Sequence, residues 1–237
     1  MGDSEEVAVG SAVPKADRSI IQKWNLEEAP MYLRVTRTQT APTRLEAATA
    51  SLKETASAIR KIPGNLGLVL LADKETGAGR TVSFWDSQEA MEASEEAAGG
   101  LRSQIAQTTG ATVTGVERYD LAIEHRTAPP AANTFVRINT VEGSAQGLDA
   151  GLTFMKEKVL PSLEGMAGLR ALLVGIDRGN NRSMIATIWN TAEQRQASEA
   201  QVAGLRQEAA AAAEGQVTVE LFEVLFADSS IGATTAR

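Results

Sequence analysis

Two arginines, Arg34 and Arg137, are the residues whose type and placement are best suited to chemistry. Each lies in a short segment in which polar and apolar residues alternate, so each is predicted on the polar face of a strand. A buried guanidinium needs an anionic or carbonyl partner. These side chains could therefore bind a phenolate, enolate or carboxylate ligand, with a tryptophan of a neighbouring strand stacking on its ring.

Two glutamates offer a purely structural alternative. Glu117 and Glu220 occupy equivalent positions in two later strands. Ion pairs between them and the two arginines would lock two sheets together without binding a ligand. The tryptophans that end two other strands have a similar alternative, which is simple packing in the core.

An internal repeat explains why these residues come in pairs. The segment "FWDSQEAMEASEEAAGGLR" at 84–102 aligns without a gap with "IWNTAEQRQASEAQVAGLR" at 188–206. Both contain an Ala-Ser-Glu and a Gly-Leu-Arg triplet. The strand patterns "MYLRVTRTQ" and "TFVRINTV" recur at a similar spacing. The chain therefore contains two copies of one unit, each near the minimal size of a domain.

Each copy predicts the element order β-α-β-β-α-β. Asp86 with Glu89, and Asn190 with Glu193, have the spacing of an N-cap residue and its N3 partner, so a helix should start directly after each tryptophan. That order is typical of the ferredoxin-like arrangement, whose sheet has one bare face. We therefore predict an α+β fold in which two tandem ferredoxin-like units pack sheet to sheet in one barrel-like body.

Composition sets the domain boundaries. We predict a flexible N-terminal arm at 1–30, a first unit at 31–124, a proline-containing linker at 125–133, a second unit at 134–227 and a flexible tail at 228–237. The arm contains "IIQKWNL", a short apolar segment that could dock on a protein partner or mediate a homo-oligomer.

Charge and composition exclude several classes of function. The chain has 30 acidic and 23 basic residues, a net charge of -7, which does not suit a nucleic-acid-binding protein. It has no cysteine and one histidine, His125, which argues against thiolate chemistry and histidine-rich metal sites. No apolar run is long enough to span a bilayer, and the N-terminus lacks the features of a secretory signal, so we expect a cytoplasmic protein without membrane contact.

The order of these motifs resembles the dimeric α+β barrel superfamily, in particular its antibiotic-biosynthesis-monooxygenase-like branch. The features that carry the resemblance are glycine-marked turns, a tryptophan followed by polar residues, and an Ala-Ser-rich helix. In this sequence they are Pro63-Gly64 with Gly67, Trp85-Asp86-Ser87, Gly165 with Gly168, and Trp189-Asn190-Thr191. The chain looks like a fused, tandem version of a fold that usually forms from two chains.

The resemblance implies a cofactor-independent monooxygenase-like protein that binds a small aromatic or polyketide-like metabolite between its two sheets, with no metal or other cofactor. Such a site needs a shielded apolar pocket and a donor that stabilises the substrate anion. In the haem-degrading branch a histidine holds iron at a position near Glu95 and Glu199, and neither copy has one. The alternative is a non-catalytic ligand-binding or assembly protein whose N-terminal arm docks on a partner.

The candidate site residues follow from strand parity and from this resemblance. Strand parity predicts that Leu33, Val35, Val82 and Phe84, with their counterparts in the second copy, face the helices, whereas the polar sets line a cavity between the sheets. Asparagine on the first strand and tryptophan are typical pocket residues of the resembled enzymes, and only the second copy has both. The predicted catalytic residues are Arg137, Asn139 and Trp189. The predicted substrate-binding residues are Tyr32, Arg34, Thr36, Ser83, Trp85, Glu117, Tyr119, Thr187, Glu220 and Phe222.

Overall fold

The computed structural model describes residues 31–231, in which two units repeat the same element order. The first unit contains β1 (Met31–Gln39), α1 (Leu45–Arg60), β2 (Asn65–Ala72), β3 (Ala78–Trp85), α2 (Gln88–Ala93), α3 (Glu95–Thr109) and β4 (Thr112–Arg126). The second contains β5 (Phe135–Glu142), α4 (Ala145–Phe154), a π-helical turn (Met155–Val159), α5 (Leu160–Leu163), β6 (Leu169–Asp177), β7 (Arg182–Trp189), α6 (Ala192–Ala197), α7 (Glu199–Ala212) and β8 (Gln216–Ser229). The predicted arm, its apolar segment and the end of the tail lie outside the described residues.

The eight strands form one closed barrel in the order β1-β3-β2-β8-β5-β7-β6-β4. Within each unit the four strands pair antiparallel in the ferredoxin-like order. Two further antiparallel pairings, β2 with β8 and β4 with β6, join the units edge to edge. Closure removes the unpaired sheet edges that an isolated unit would expose. The predicted fold, two fused units in one barrel, is confirmed.

The interior of the barrel is apolar and receives side chains from all eight strands. Its buried members are Leu33, Val35, Val69, Leu71, Val82, Phe84, Tyr119, Val136, Ile138, Leu173, Met184, Ala186, Phe222 and Val224. Each unit also has a separate core, which lies between its sheet and its own helices. Because the central core draws on both units, neither unit can bury its bare sheet face without the other.

The strand faces are therefore the reverse of the sequence prediction. Leu33, Val35, Val82 and Phe84 line the barrel interior, and the arginine-bearing face meets the helices. Alternation separates the two faces of a strand but does not say which face meets which layer. The apolar face points inward because no backbone group is free there to pair with a polar side chain, whereas helices offer carbonyls and hydroxyls.

The helix starts are also shifted by one residue from the prediction. Ser87 and Thr191 are the N-caps, since their side-chain oxygens accept the backbone N–H of Ala90 and Gln194 at 3.2 Å in each unit. Asp86, the predicted cap, instead accepts a hydrogen bond from Ser87 through its carboxylate. His125, assigned to the linker from the sequence, lies in β4 opposite Leu172.

Candidate functional site

In each unit a buried arginine network joins the first strand to the two helices that follow the tryptophan. These are α2 and α3 in the first unit and α6 and α7 in the second. In the first unit Arg34 donates to the Met91 carbonyl and to Ser94 Oγ, the latter at 3.0 Å, and its guanidinium lies 3.2 Å from Glu95. Arg102, two helical turns after Glu95, pairs with the same carboxylate. Ser94 lies at the break between α2 and α3, so the break brings its hydroxyl to the arginine.

The second unit contains the same network at the equivalent positions. Arg137 donates to Ser198 Oγ at 2.9 Å and lies 3.1 Å from Glu199, which accepts from Arg206 at 2.7 Å. The Ser, Glu and Arg members belong to the repeated Ala-Ser-Glu and Gly-Leu-Arg triplets. The network therefore explains why those triplets recur in the sequence. Sequence reasoning missed the roles of Ser198, Glu199 and Arg206, although the triplets were the available signal.

The network in the first unit carries more positive than negative charge. Arg34, Arg102 and Arg118 all pair with Glu95. Burial raises the pKa of Glu95, but hydrogen bonds from Arg102 and Arg118 outweigh it and hold that pKa below its usual value. Burial also lowers the pKa of Arg34, although Glu95 acts in the opposite direction. Three guanidinium groups share one ionised carboxylate, so this end of the unit favours a further anion.

The tryptophans that end β3 and β7 pack beside the networks. Trp85 Nε1 donates to Ser83 Oγ at 2.9 Å, and Trp189 Nε1 donates to Thr187 Oγ1 at 3.0 Å. The Arg34 guanidinium carbon lies 5.1 Å from the Trp85 ring centroid, a cation–π distance. Both tryptophans are fully buried. They therefore form part of the wall between sheet and helices.

A cavity of about 110 Å³ lies between the sheet and helices of the first unit. Its polar wall comes from strand residues, namely Arg34, Thr36, Thr38, Thr40, Thr81, Ser83 and Trp85. Its apolar wall includes Leu52, Leu68, Leu70, Leu101 and Ile105. Arg34 and Arg102 are the ionisable residues among its lining. The Arg34 Nε is buried and has no hydrogen-bond partner within residues 31–231.

The corresponding space in the second unit is about 40 Å³. Met155, Val159 and Leu163, from the π-helical turn and α5, fill it. Gly147 lets α4 approach the end of α7 closely, because a Cβ there would lie 2.1 Å from the Ala213 carbonyl oxygen. The two units thus share the arginine network but differ in the room beside it.

Arginine–glutamate pairs do connect the two units, but with other partners than predicted. Glu117 accepts from Tyr119 Oη at 2.9 Å and from Arg182 of the second unit at 3.0 Å. Glu220 pairs with Arg80 of the first unit. These groups are on the inward strand faces near one end of the barrel. Arg34 and Arg137 lie on the opposite face of the sheet, out of reach of these glutamates. Each arginine directly follows an inward-facing residue of its own strand, Leu33 or Val136, so its side chain points to the other side.

The predicted site residues therefore fall into three places. Arg34, Thr36, Ser83 and Trp85 line the cavity of the first unit. The second-unit set Arg137, Asn139 and Thr187 lines the small cavity, beside Trp189. Tyr119, Phe222, Glu117 and Glu220 belong to the barrel interior and its end. Tyr32 is paired opposite Trp85.

The barrel interior, where the prediction placed the ligand, has a cavity of only about 60 Å³. Its lining is mostly apolar and includes the linker residues Pro129 and Pro130. In the part of the chain that the structure describes, no group of three or more His, Asp or Glu side chains is arranged to hold a metal ion. No helix among those residues is long and apolar enough to cross a membrane.

Residues 31–99 match the family model of the antibiotic biosynthesis monooxygenase domain. This range covers most of the first unit, including the arginine, tryptophan and serine of its network. The chain thus contains a segment similar to that domain and folds as an α+β barrel of two ferredoxin-like units. All eight strands of the barrel come from one chain, so the barrel closes within a single molecule.

Solved structures show the same fold across both units. A candidate monooxygenase from Fusobacterium nucleatum superposes with a TM-score of 0.65 at 12% identity, covering 88% of this chain and 97% of its own. An anthrone oxidase-like protein superposes with a TM-score of 0.64 at 14% identity, covering 89% and 98%. An uncharacterized protein of Mycobacterium tuberculosis is 27% identical over 183 residues, 77% of this chain and 79% of its own. These similarities show that the fold of both units recurs in other proteins.

Proposed function

We propose that the first unit binds a single-ring aromatic metabolite as its anion, between sheet and helices, and acts on it as a cofactor-independent monooxygenase. The observation that carries the proposal is an apolar cavity whose polar end holds an excess of arginine. The buried, unpartnered Nε of Arg34 supplies a donor for a phenolate, enolate or carboxylate oxygen. The anthrone oxidase-like structural neighbour agrees with oxygenation of an aromatic compound.

The volume of the cavity limits the ligand to one ring. A dry cavity of roughly 150 Å³ holds one benzene-sized molecule, so the cavity of about 110 Å³ here must widen slightly to take even one substituted ring. A multi-ring polyketide would require the helices to move apart. We therefore favour a single ring over the larger ligand class.

The lining also indicates how the substrate becomes an anion. Its ionisable residues are two arginines, and the neighbouring Glu95 has a lowered pKa, which makes it a weak base. The ligand must therefore be acidic enough to enter as an anion or to lose its proton to water. The guanidinium then stabilises that anion while the helices shield it from solvent.

Calorimetric titration with benzoate and phenol-type single-ring anions tests the binding step. Because a hydrogen bond to a charged group contributes about 1.5–3 kcal/mol, Arg34→Met should weaken binding by roughly 10- to 150-fold. Arg137→Met is the matched control, since it removes the same network from the unit without room, and should change the affinity less than about twofold. Equal losses in both variants would contradict the assignment to the first unit.

Oxygen uptake tests the catalytic step. Without a cofactor the substrate itself must supply the two electrons that reduce the second oxygen atom to water, so the assay uses a bound phenol of the 1,4-hydroquinone type. The wild-type protein should raise the consumption of dissolved oxygen above that of the phenol alone, and Arg34→Met should abolish the increase. Binding without oxygen uptake would refute the monooxygenase part of the proposal and support the alternative of a non-catalytic binding protein.

A further inference from the structure

Four threonines form a polar strip on the floor of the first-unit cavity. Thr36 and Thr38 alternate along β1, Thr40 follows directly after its end, and Thr81 lies opposite Thr36 on β3. Thr36 is only 7% exposed and Thr40 only 8%. The strip continues the arginine-bearing face of β1 away from Arg34.

One hydroxyl of this strip is buried without a hydrogen-bond partner among the described residues. It belongs to Thr40, which is 8% exposed and lies directly after the end of β1. Buried hydroxyls without partners are disfavoured, because they lose their hydrogen bonds to water. The Thr40 hydroxyl therefore contributes no hydrogen bond within residues 31–231 to the stability of the free protein.

The second unit shows that the fold does not require these hydroxyls. The positions of Thr38 and Thr81 are taken there by Val141 and Ile185, which line the nearly filled cavity. The position of Thr36 stays polar there, as Asn139, whereas the positions of Thr38 and Thr81 are apolar where side chains fill the space. This comparison within one chain links the strip to the cavity rather than to the architecture.

We propose that the threonine strip makes the first-unit cavity select rings that carry a second oxygen function. An anionic group pairs with Arg34, and a hydroxyl or carbonyl at the far side of the ring bonds to Thr36 and Thr81. Arg34 and Thr36 are two residues apart on one strand, a separation of roughly 6–7 Å, which a para-substituted ring spans. The inference rests on the proposed function, because it concerns the ligand of the same cavity.

Calorimetry with benzoate and 4-hydroxybenzoate tests the strip. A neutral hydrogen bond contributes about a five- to tenfold gain in affinity, so the wild-type protein should bind 4-hydroxybenzoate tighter than benzoate by at least that factor. The double variant Thr36→Val with Thr81→Val should reduce the ratio to about one and leave benzoate affinity within about twofold. Thr36→Ser, which keeps the hydroxyl, is the control and should keep the ratio.

Thermal unfolding of the ligand-free variants provides a second readout. Valine is nearly isosteric with threonine, so Thr36→Val should leave the melting temperature of the free protein unchanged or raise it. A marked fall would show that the hydroxyl has a structural role and would overturn the inference. Equal wild-type affinities for the two probes would overturn it as well while leaving the proposed function standing, whereas no binding of either probe would refute both.

Discussion

Replacing Ser94 by alanine measures how much the duplicated network stabilises the barrel. Ser94 Oγ accepts from Arg34 at 3.0 Å and donates to the Met91 carbonyl at 2.7 Å. A hydrogen bond to a charged group contributes about 1.5–3 kcal/mol, and Arg34 keeps its contacts to Met91 and Glu95, so we expect a loss near the lower end, about 2 kcal/mol. Ser198→Ala removes the equivalent contacts and should cost about the same.

Urea denaturation followed by tryptophan fluorescence measures both losses as changes in the free energy of unfolding. For a chain of this size about 2 kcal/mol corresponds to a fall of roughly 4–8 °C in melting temperature. The two serines share no partner, so the double variant should lose the sum. Ser103→Ala, on the exposed side of α3, is the control and should change the free energy by less than about 0.5 kcal/mol. A loss below that control value at Ser94, or a large difference between the two units, would refute the reasoning.

Three further predictions concern the turns, the unit boundary and pH. Gly77→Ala should destabilise the protein by about 2 kcal/mol or more by chemical denaturation, because Gly77 has φ of 75° and a Cβ there would lie 1.9 Å from the Thr40 carbonyl oxygen; an unchanged midpoint would contradict this. Glu117→Gln weakens the contact with Arg182 and should lower the free energy of unfolding by about 1–3 kcal/mol without changing the single transition of the shared barrel; two separate transitions would show that the units do not unfold together. The lowered pKa of Glu95 in the folded state means that its contribution is present above the unfolded pKa of about 4.3 and is lost as pH falls through the folded value. The stability difference between wild type and Glu95→Gln should therefore shrink in acid; because the side chain is 39% exposed, the difference at neutral pH should stay within about 1 kcal/mol, and a difference that grows on acidification would be inconsistent with the sign.

The inequality of the two units is the main structural result that bears on function. The arginine network is nearly the same in both, yet the cavity beside Arg34 measures about 110 Å³ and the one beside Arg137 about 40 Å³. The family match also falls on the first unit, at residues 31–99. Fusion of two units in one chain permits this division, since each copy of a homodimer must have the same sequence. One unit can then keep a cavity while the other fills the equivalent space with side chains and contributes to the barrel core.

Much of the candidate site was predictable from residue type. Arg34, Thr36, Ser83 and Trp85 share a polar strand face in the sequence, and the structure places all four around one cavity. Their partners on the helices were not predicted, because Ser94 and the glutamate after it meet the strand only through a break in the helix. Spacing along the chain does not reveal such a contact between layers.

The predicted catalytic residues are all in the second unit, and the sequence could not show how little space lies beside them. Asn139 and Trp189 are present there, but the space beside them is filled by Met155 and its neighbours. Cavity volume depends on how closely two helices pack, and a single glycine, Gly147, permits the close approach. A local pattern of polar residues in the sequence does not indicate how closely two helices pack.

The sequence by itself determined the number of units and their element order, because periodicity and repeats are properties of the chain. The tertiary structure alone decided which face of each strand is inward and which unit has room. Both depend on contacts between residues that are far apart in the chain. Alternation separates the two faces of a strand, but only the closing of the barrel buries one of them in the interior.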